Sequence, residues 1–167
     1  MTEGEILMKI HIGIIEDEQL HINQLRDLLN NWQNMSGVYL QIEFFFSAEN
    51  FLLKNDLQFD LIFMDIMLGK MNGLQLTQIL HEKKYNGRII FLTAHKEYVF
   101  EGFRVHAFDY LLKPITYDRL QRCMYDIIEY VSSDLYIYKS RSEIIRIPYN
   151  EILYFTTQMC FCHEIGF

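Results

Sequence analysis

The chain has 167 residues, half of them apolar and 22% charged, enough for one medium domain with a full core and part of another. Its net charge of −7 argues against a whole-protein nucleic-acid footprint, which needs clustered lysine and arginine. No apolar run approaches the roughly 18 to 20 residues of a membrane span, Glu3 and Glu5 stand where a secretory signal would be basic, and Cys123, Cys160 and Cys162 lack zinc-finger spacing. A cytoplasmic protein that does not enter the membrane is expected.

In chain order, Lys9 to Ile15 reads as a first strand. A helix follows, with Leu25, Leu28, Leu29 and Trp32 at helical spacing until Ser36 and Gly37 break it. Val38 to Phe46 reads as a second strand, and Ser47 as the N-cap of a short helix carrying Phe51, Leu52 and Leu53. Leu61 to Met64 is nearly all apolar, as a central parallel strand covered on both faces should be. Asn72 and Gly73 open a helix through Leu74, Leu76, Ile79 and Leu80. Asn86 and Gly87 turn the chain into a strand from Arg88 to Leu92, and a helix is predicted around Lys96 to Phe103. A last strand, Phe108 to Leu112, leads to a helix capped at Thr116. Its Leu120, Cys123, Met124, Ile127, Ile128 and Val131 share one face. After Ser132, Ser133 and Asp134 the pattern changes to short β-type runs at Leu135 to Tyr138, Ile144 to Ile147 and Ile152 to Phe155. Ser140 to Glu143 reads as a hairpin turn.

Five βα repeats predict a parallel sheet with helices on both faces. Right-handed crossovers bring the carboxyl ends of its strands to one edge, where ligands collect in such folds. Four strand ends carry polar residues: Glu16 and Asp17, then Asp65, Thr93 and Lys113. Asp17 and Asp65 lie two βα units apart, and Asp65, Thr93 and Lys113 one unit apart each, so these residues can meet. A carboxylate such as Asp65 can attack phosphorus to form an aspartyl phosphate, and the transfer is largely an electrostatic task. Glu16, Asp17 and Asp65 would repel one another unless a hard cation, Mg²⁺ or Mn²⁺, relieves the repulsion. The backbone carbonyl of Met67 could add a ligand. Lys113 would pair with phosphoryl oxygens, and the Thr93 hydroxyl would donate to one of them. The six histidines, His21 among them, show no ligand spacing and read as ordinary surface or strand residues.

From Lys9 to Val131 the sequence resembles the receiver domain of two-component response regulators. The resemblance implies a flavodoxin-like doubly wound (βα)5 fold with parallel strand order 2-1-3-4-5. It also implies Asp65 as phosphoacceptor, Glu16 and Asp17 as the acidic pair, Thr93 as switch hydroxyl and Tyr110 as rotating aromatic. Lys113 would be followed by a cis bond to Pro114, and Gly73 would begin the third helix. Glu16 stands where Asp is commoner. A sensor histidine kinase as partner, homodimerisation on phosphorylation and no turnover enzymology are expected.

The wording from Ala107 to Pro114 is similar to receivers attached to LytTR-type DNA-binding domains. The segment Ile137 to Phe155 looks like the opening strands of that output. The expected division is a receiver over residues 1–131, a linker at 132–134, and over 135–167 a shortened all-β fragment of the output domain. Promoter DNA would be a partner if that domain were complete. No DNA-binding residues can be named, since Lys139, Arg141 and Arg146 face Asp134, Glu143, Glu151 and Glu164. Competing readings are a stand-alone receiver acting by protein contacts and a haloacid-dehalogenase-type phosphatase. The latter resembles a motif with a second Asp two residues after the nucleophile, and here that residue is Met67. A dinucleotide-binding domain would need a glycine-rich turn after the first strand, where Glu16, Asp17 and Glu18 stand.

Overall fold

A computed structural model describes residues 8–54, 56–95, 107–133, 135–139, 144–148, 152–155 and 160–162. The chain falls into two compact units, Met1–Met124 and Tyr125–Phe167. The first contains a five-stranded sheet of β1 (Lys9–Ile15), β2 (Tyr39–Phe45), β3 (Leu61–Asp65), β4 (Arg88–Thr93) and β5 (Asp109–Leu112). Its order is β2-β1-β3-β4-β5 and every pairing is parallel. The flavodoxin-like arrangement expected from the sequence is the one the molecule adopts.

Four helices are described: α1 (Gln19–Ser36), α2 (Ala48–Leu52), α3 (Gly73–Glu82) and α4 (Tyr117–Ser133). Their ends follow local chemistry. Gly37 closes α1 with φ 71°, donating its N–H to the Gln33 carbonyl, a left-handed cap that glycine adopts without penalty. The Ser47 side chain accepts from the Asn50 N–H and caps α2. Asn72 and Gln75 form a reciprocal capping box at α3. The last helix continues through Ser132 and Ser133, two residues into the stretch where the sequence predicts a linker. Neither serine forbids helix, and the apolar period from Leu120 to Val131 has already carried the helix there.

Both faces of the central strands are buried. Ile15, Ile62, Met64, Ile89, Phe91 and Tyr110 form one cluster with Ala48 and Phe51 of α2 and Leu76 and Leu80 of α3. Strand residues of the other parity, among them Ile12, Ile14, Leu61, Phe63 and Ile90, are equally buried. The chain turns back after β2, so right-handed crossovers put α1 on the face opposite α2 and α3. The reversal also opens a crevice at the carboxyl ends of β1 and β3.

The second unit has antiparallel β6 (Leu135–Lys139) with β7 (Ile144–Pro148), and β8 (Ile152–Phe155) with β9 (Cys160–Cys162). The runs predicted at Leu135, Ile144 and Ile152 are all strands. No strand is predicted for Cys160 to Cys162, which is too short to register as alternation. The turn predicted at Ser140 to Glu143 and the helix predicted at Lys96 to Phe103 lie outside the described residues.

Candidate functional site

Backbone hydrogen bonds tie the carboxyl ends of neighbouring strands in pairs, β1 to β2, β3 to β4 and β5 to β4. Glu16 N donates to Phe45 O at 3.0 Å, Ile66 N to Leu92 O at 3.2 Å, and Lys113 N to Thr93 O at 2.8 Å. The residue ending each strand is thereby held against its neighbour. Gly73 lets α3 begin close beneath Asp65. A Cβ there would sit 2.4 Å from the Asp65 carbonyl oxygen and 3.1 Å from Ile66 Cα, so only glycine fits.

Glu16, Asp65 and Lys113 meet in a nearly dry pocket. Lys113 Nζ donates to Glu16 Oε2 at 2.7 Å and to Asp65 Oδ2 at 2.5 Å. The two carboxylates are 1% and 5% exposed as residues, and the lysine side chain 9%. The other Asp65 oxygen, Oδ1, accepts from the Met67 N–H at 2.9 Å. Burial pushes the Glu16 carboxyl up, the Asp65 charge adds to this, and the Lys113 hydrogen bond offsets only part of it. Burial also works against the Lys113 ammonium, but its bonds to Asp65 and Glu16 outweigh that and hold its pKa above the usual lysine value. Two acids sharing one ammonium leave the pocket short of positive charge.

A further side chain enters this pocket. His21, on the first turn of α1, places Nδ1 2.9 Å from Lys113 Nζ and 3.3 Å from Glu16 Oε1. Spacing among histidines could not reveal it, because its partners come from other elements. Its position five residues after Glu16 on an amphipathic helix was the available signal. Among the described residues, the group able to offer three ligand atoms to one ion is Glu16, His21 and Asp65, all within 4.8 Å of one another. Asp17, expected beside Glu16, is exposed and is not in that set. At this turn the longer Glu16 arm is the one directed inward.

Thr93 is fully buried at the end of β4. Its hydroxyl donates to His95 O at 3.3 Å and accepts from His95 N–H at 3.0 Å, within its own turn. Tyr110 is already turned inward, 8% exposed and stacked on Phe91 at 5.8 Å between ring centres. The bond from Lys113 to Pro114 is cis.

The sequence profile of the response regulator receiver domain matches residues 12–124. This chain is a member of the response regulator receiver family. An uncharacterised response regulatory protein of Yersinia pestis is 32% identical over 137 residues, covering 82% of this chain and 54% of its own length. The transcriptional regulatory protein BtsR of Salmonella typhi is 30% identical over 142 residues, covering 85% and 54%. The response regulatory domain of mrkE from Klebsiella pneumoniae superposes with a TM-score of 0.64 at 29% identity, over 72% of this chain and 97% of that domain. The receiver chain thus spans about half the length of the curated relatives it matches. None of its described helices is long and apolar enough to cross a membrane.

Proposed function

We propose that this receiver accepts a phosphoryl group on Asp65 from the phosphohistidine of a sensor histidine kinase and thereby controls transcription. The observation that carries the reading is the buried Glu16–Lys113–Asp65 cluster at the carboxyl edge of the sheet. In the transfer an Asp65 carboxylate oxygen bonds to phosphorus, the P–N bond breaks, and its electron pair returns to the kinase imidazole. The Met67 N–H and the Lys113 ammonium hold the two Asp65 oxygens and fix the attacking carboxylate. Lys113 then pairs with the phosphoryl oxygens as a point charge. Thr93 exchanges its His95 partners for one of those oxygens, and Tyr110 keeps the inward place it has against Phe91.

The donor set suits a hard divalent cation. Lys113 already serves as a positive stand-in between the buried Glu16 and Asp65 carboxylates. Those two would hold Mg²⁺ or Mn²⁺, with the exposed Asp17 carboxylate turning inward and the Met67 carbonyl completing the set. Bound there, the cation offsets the negative charge of the phosphoryl oxygens during transfer. Met67 stands where a phosphatase of this general chemistry would need an acid, which supports a signalling phosphoacceptor over a turnover enzyme. The output assigned here is a LytTR-type DNA-binding domain whose opening strands are β6 to β8. Phosphorylation favours a homodimer by stabilising one of two existing states. A receiver working through protein contacts alone is the competing reading, supported by the absence of a basic excess after residue 131. Cytoplasmic residence belongs to the same reading, since that is where the phosphohistidine of the kinase would meet the receiver.

Incubation with acetyl phosphate and Mg²⁺, followed by mass mapping, should label Asp65 in the wild type and leave Asp65→Asn unlabelled. Equal labelling of the variant at another residue would refute the assignment.

A further inference from the structure

Among the described residues of the pocket, His21 is the one that the phosphoacceptor reading leaves without a task. Its Nδ1 approaches Lys113 Nζ at 2.9 Å, Glu16 Oε1 at 3.3 Å and Glu18 Oε2 at 3.7 Å. An ammonium can only donate, so the shortest contact requires Nδ1 to accept, and its lone pair faces the cluster. The Glu16 oxygen is then a neighbour of that nitrogen and not its hydrogen-bond acceptor. Lys113 has three N–H donors and finds three acceptors: Glu16 Oε2, Asp65 Oδ2 and His21 Nδ1. A monovalent cation is therefore already held by two carboxylates and an imidazole, one ligand atom from each lying within 4.8 Å of the others.

The geometry points to His21 as the residue that selects the metal, favouring Mn²⁺ and the later first-row ions over Mg²⁺ when a divalent cation competes with Lys113 for Glu16 and Asp65. This rests on the cation site proposed above. Mg²⁺ takes oxygen donors and gives up water reluctantly, so an imidazole adds little for it. For a mixed nitrogen and oxygen site, affinity rises along Mn²⁺, Fe²⁺, Co²⁺ and Ni²⁺, and each of these first-row ions gains more from an imidazole than Mg²⁺ does. The His21 side chain is 26% exposed, so Nδ1 can change partners without unpacking the core.

The test uses the whole chain and two probe ions. Mn²⁺ binding is followed by loss of the free-ion electron paramagnetic resonance signal, and Mg²⁺ binding by competition. Pulsed resonance then looks for a nitrogen bonded directly to Mn²⁺. His21→Ala should lower the ratio of Mn²⁺ to Mg²⁺ affinity by at least about tenfold and abolish the nitrogen coupling. His21→Gln keeps an oxygen acceptor for Lys113 without an imidazole and should behave like His21→Ala, with circular dichroism reporting that both fold. A ratio unchanged in either folded variant, or no nitrogen coupling in the wild type, overturns the inference. If Asp65 still labels in Mg²⁺ while the ratio ignores His21, the inference alone fails. If no divalent ion binds and Asp65 does not label, the receiver reading of the site fails with it.

Discussion

At Gly73 a single missing side chain decides whether Asp65 can be presented at all. The backbone of α3 starts against the carbonyl of the phosphoacceptor candidate, and a methyl group there would meet that oxygen at 2.4 Å. Alanine ordinarily improves a helix over glycine, by roughly 0.5–1 kcal/mol. Here overpacking, which typically costs about 1–3 kcal/mol, should win, because the obstructing atoms are backbone and cannot swing away. Gly73→Ala should lower the urea midpoint measurably; a midpoint equal to or above the wild type would show that α3 shifts freely. The glycine is visible in the sequence through the Asn72-Gly73 pair. Its closeness to Asp65 is a fact of packing.

Between elements, the amino-terminal half of the sheet is fastened by a chain of side chains that no local pattern announces. His11 of β1 meets Glu43 of β2 at 2.8 Å and the Gln58 carbonyl at 2.7 Å. Lys54 forms an ion pair with Glu43 and lies over the Phe59 ring at 5.0 Å. The hydrogen bond from Lys54 holds the Glu43 carboxyl below its ordinary 4.5, against a smaller opposing effect of burial. A depressed carboxylate contributes stability above its unfolded pKa and loses it as pH falls through the lower folded value. Glu43→Gln should therefore be less stable than wild type at pH 7, by up to about 1 kcal/mol for a partly exposed pair. The gap should close below about pH 4.5. Urea midpoints measured from pH 7 to pH 3 check this, and a gap that widens in acid would reverse the assignment.

For the whole molecule, charge separates what the receiver does from what any output could do. The chain carries −7 overall, and after residue 131 its bases Lys139, Arg141 and Arg146 are matched by Asp134, Glu143, Glu151 and Glu164. DNA affinity draws mainly on phosphate neutralisation. These 167 residues should therefore fail to retard a random-sequence duplex pool in gel shift at physiological salt, phosphorylated or not. Clear retardation would mean that β6 to β9 carry a binding face built from something other than net charge.

Apolar runs were enough to define the five strands, and polar punctuation the ends of four of them, because period and punctuation are local properties of a chain. Glu16, Asp65, Thr93 and Lys113 could be named that way, and so could the caps at Ser47 and Asn72. Three-dimensional packing decided the rest. It turned Glu16 inward and left Asp17 outside, engaged Thr93 with His95, stacked Tyr110 on Phe91, and brought His21 to Lys113. Apart from the Thr93 contact with His95, which is local to one turn, each of those outcomes depends on the distance between side chains that are remote in sequence, and no alternation or spacing rule encodes such a distance.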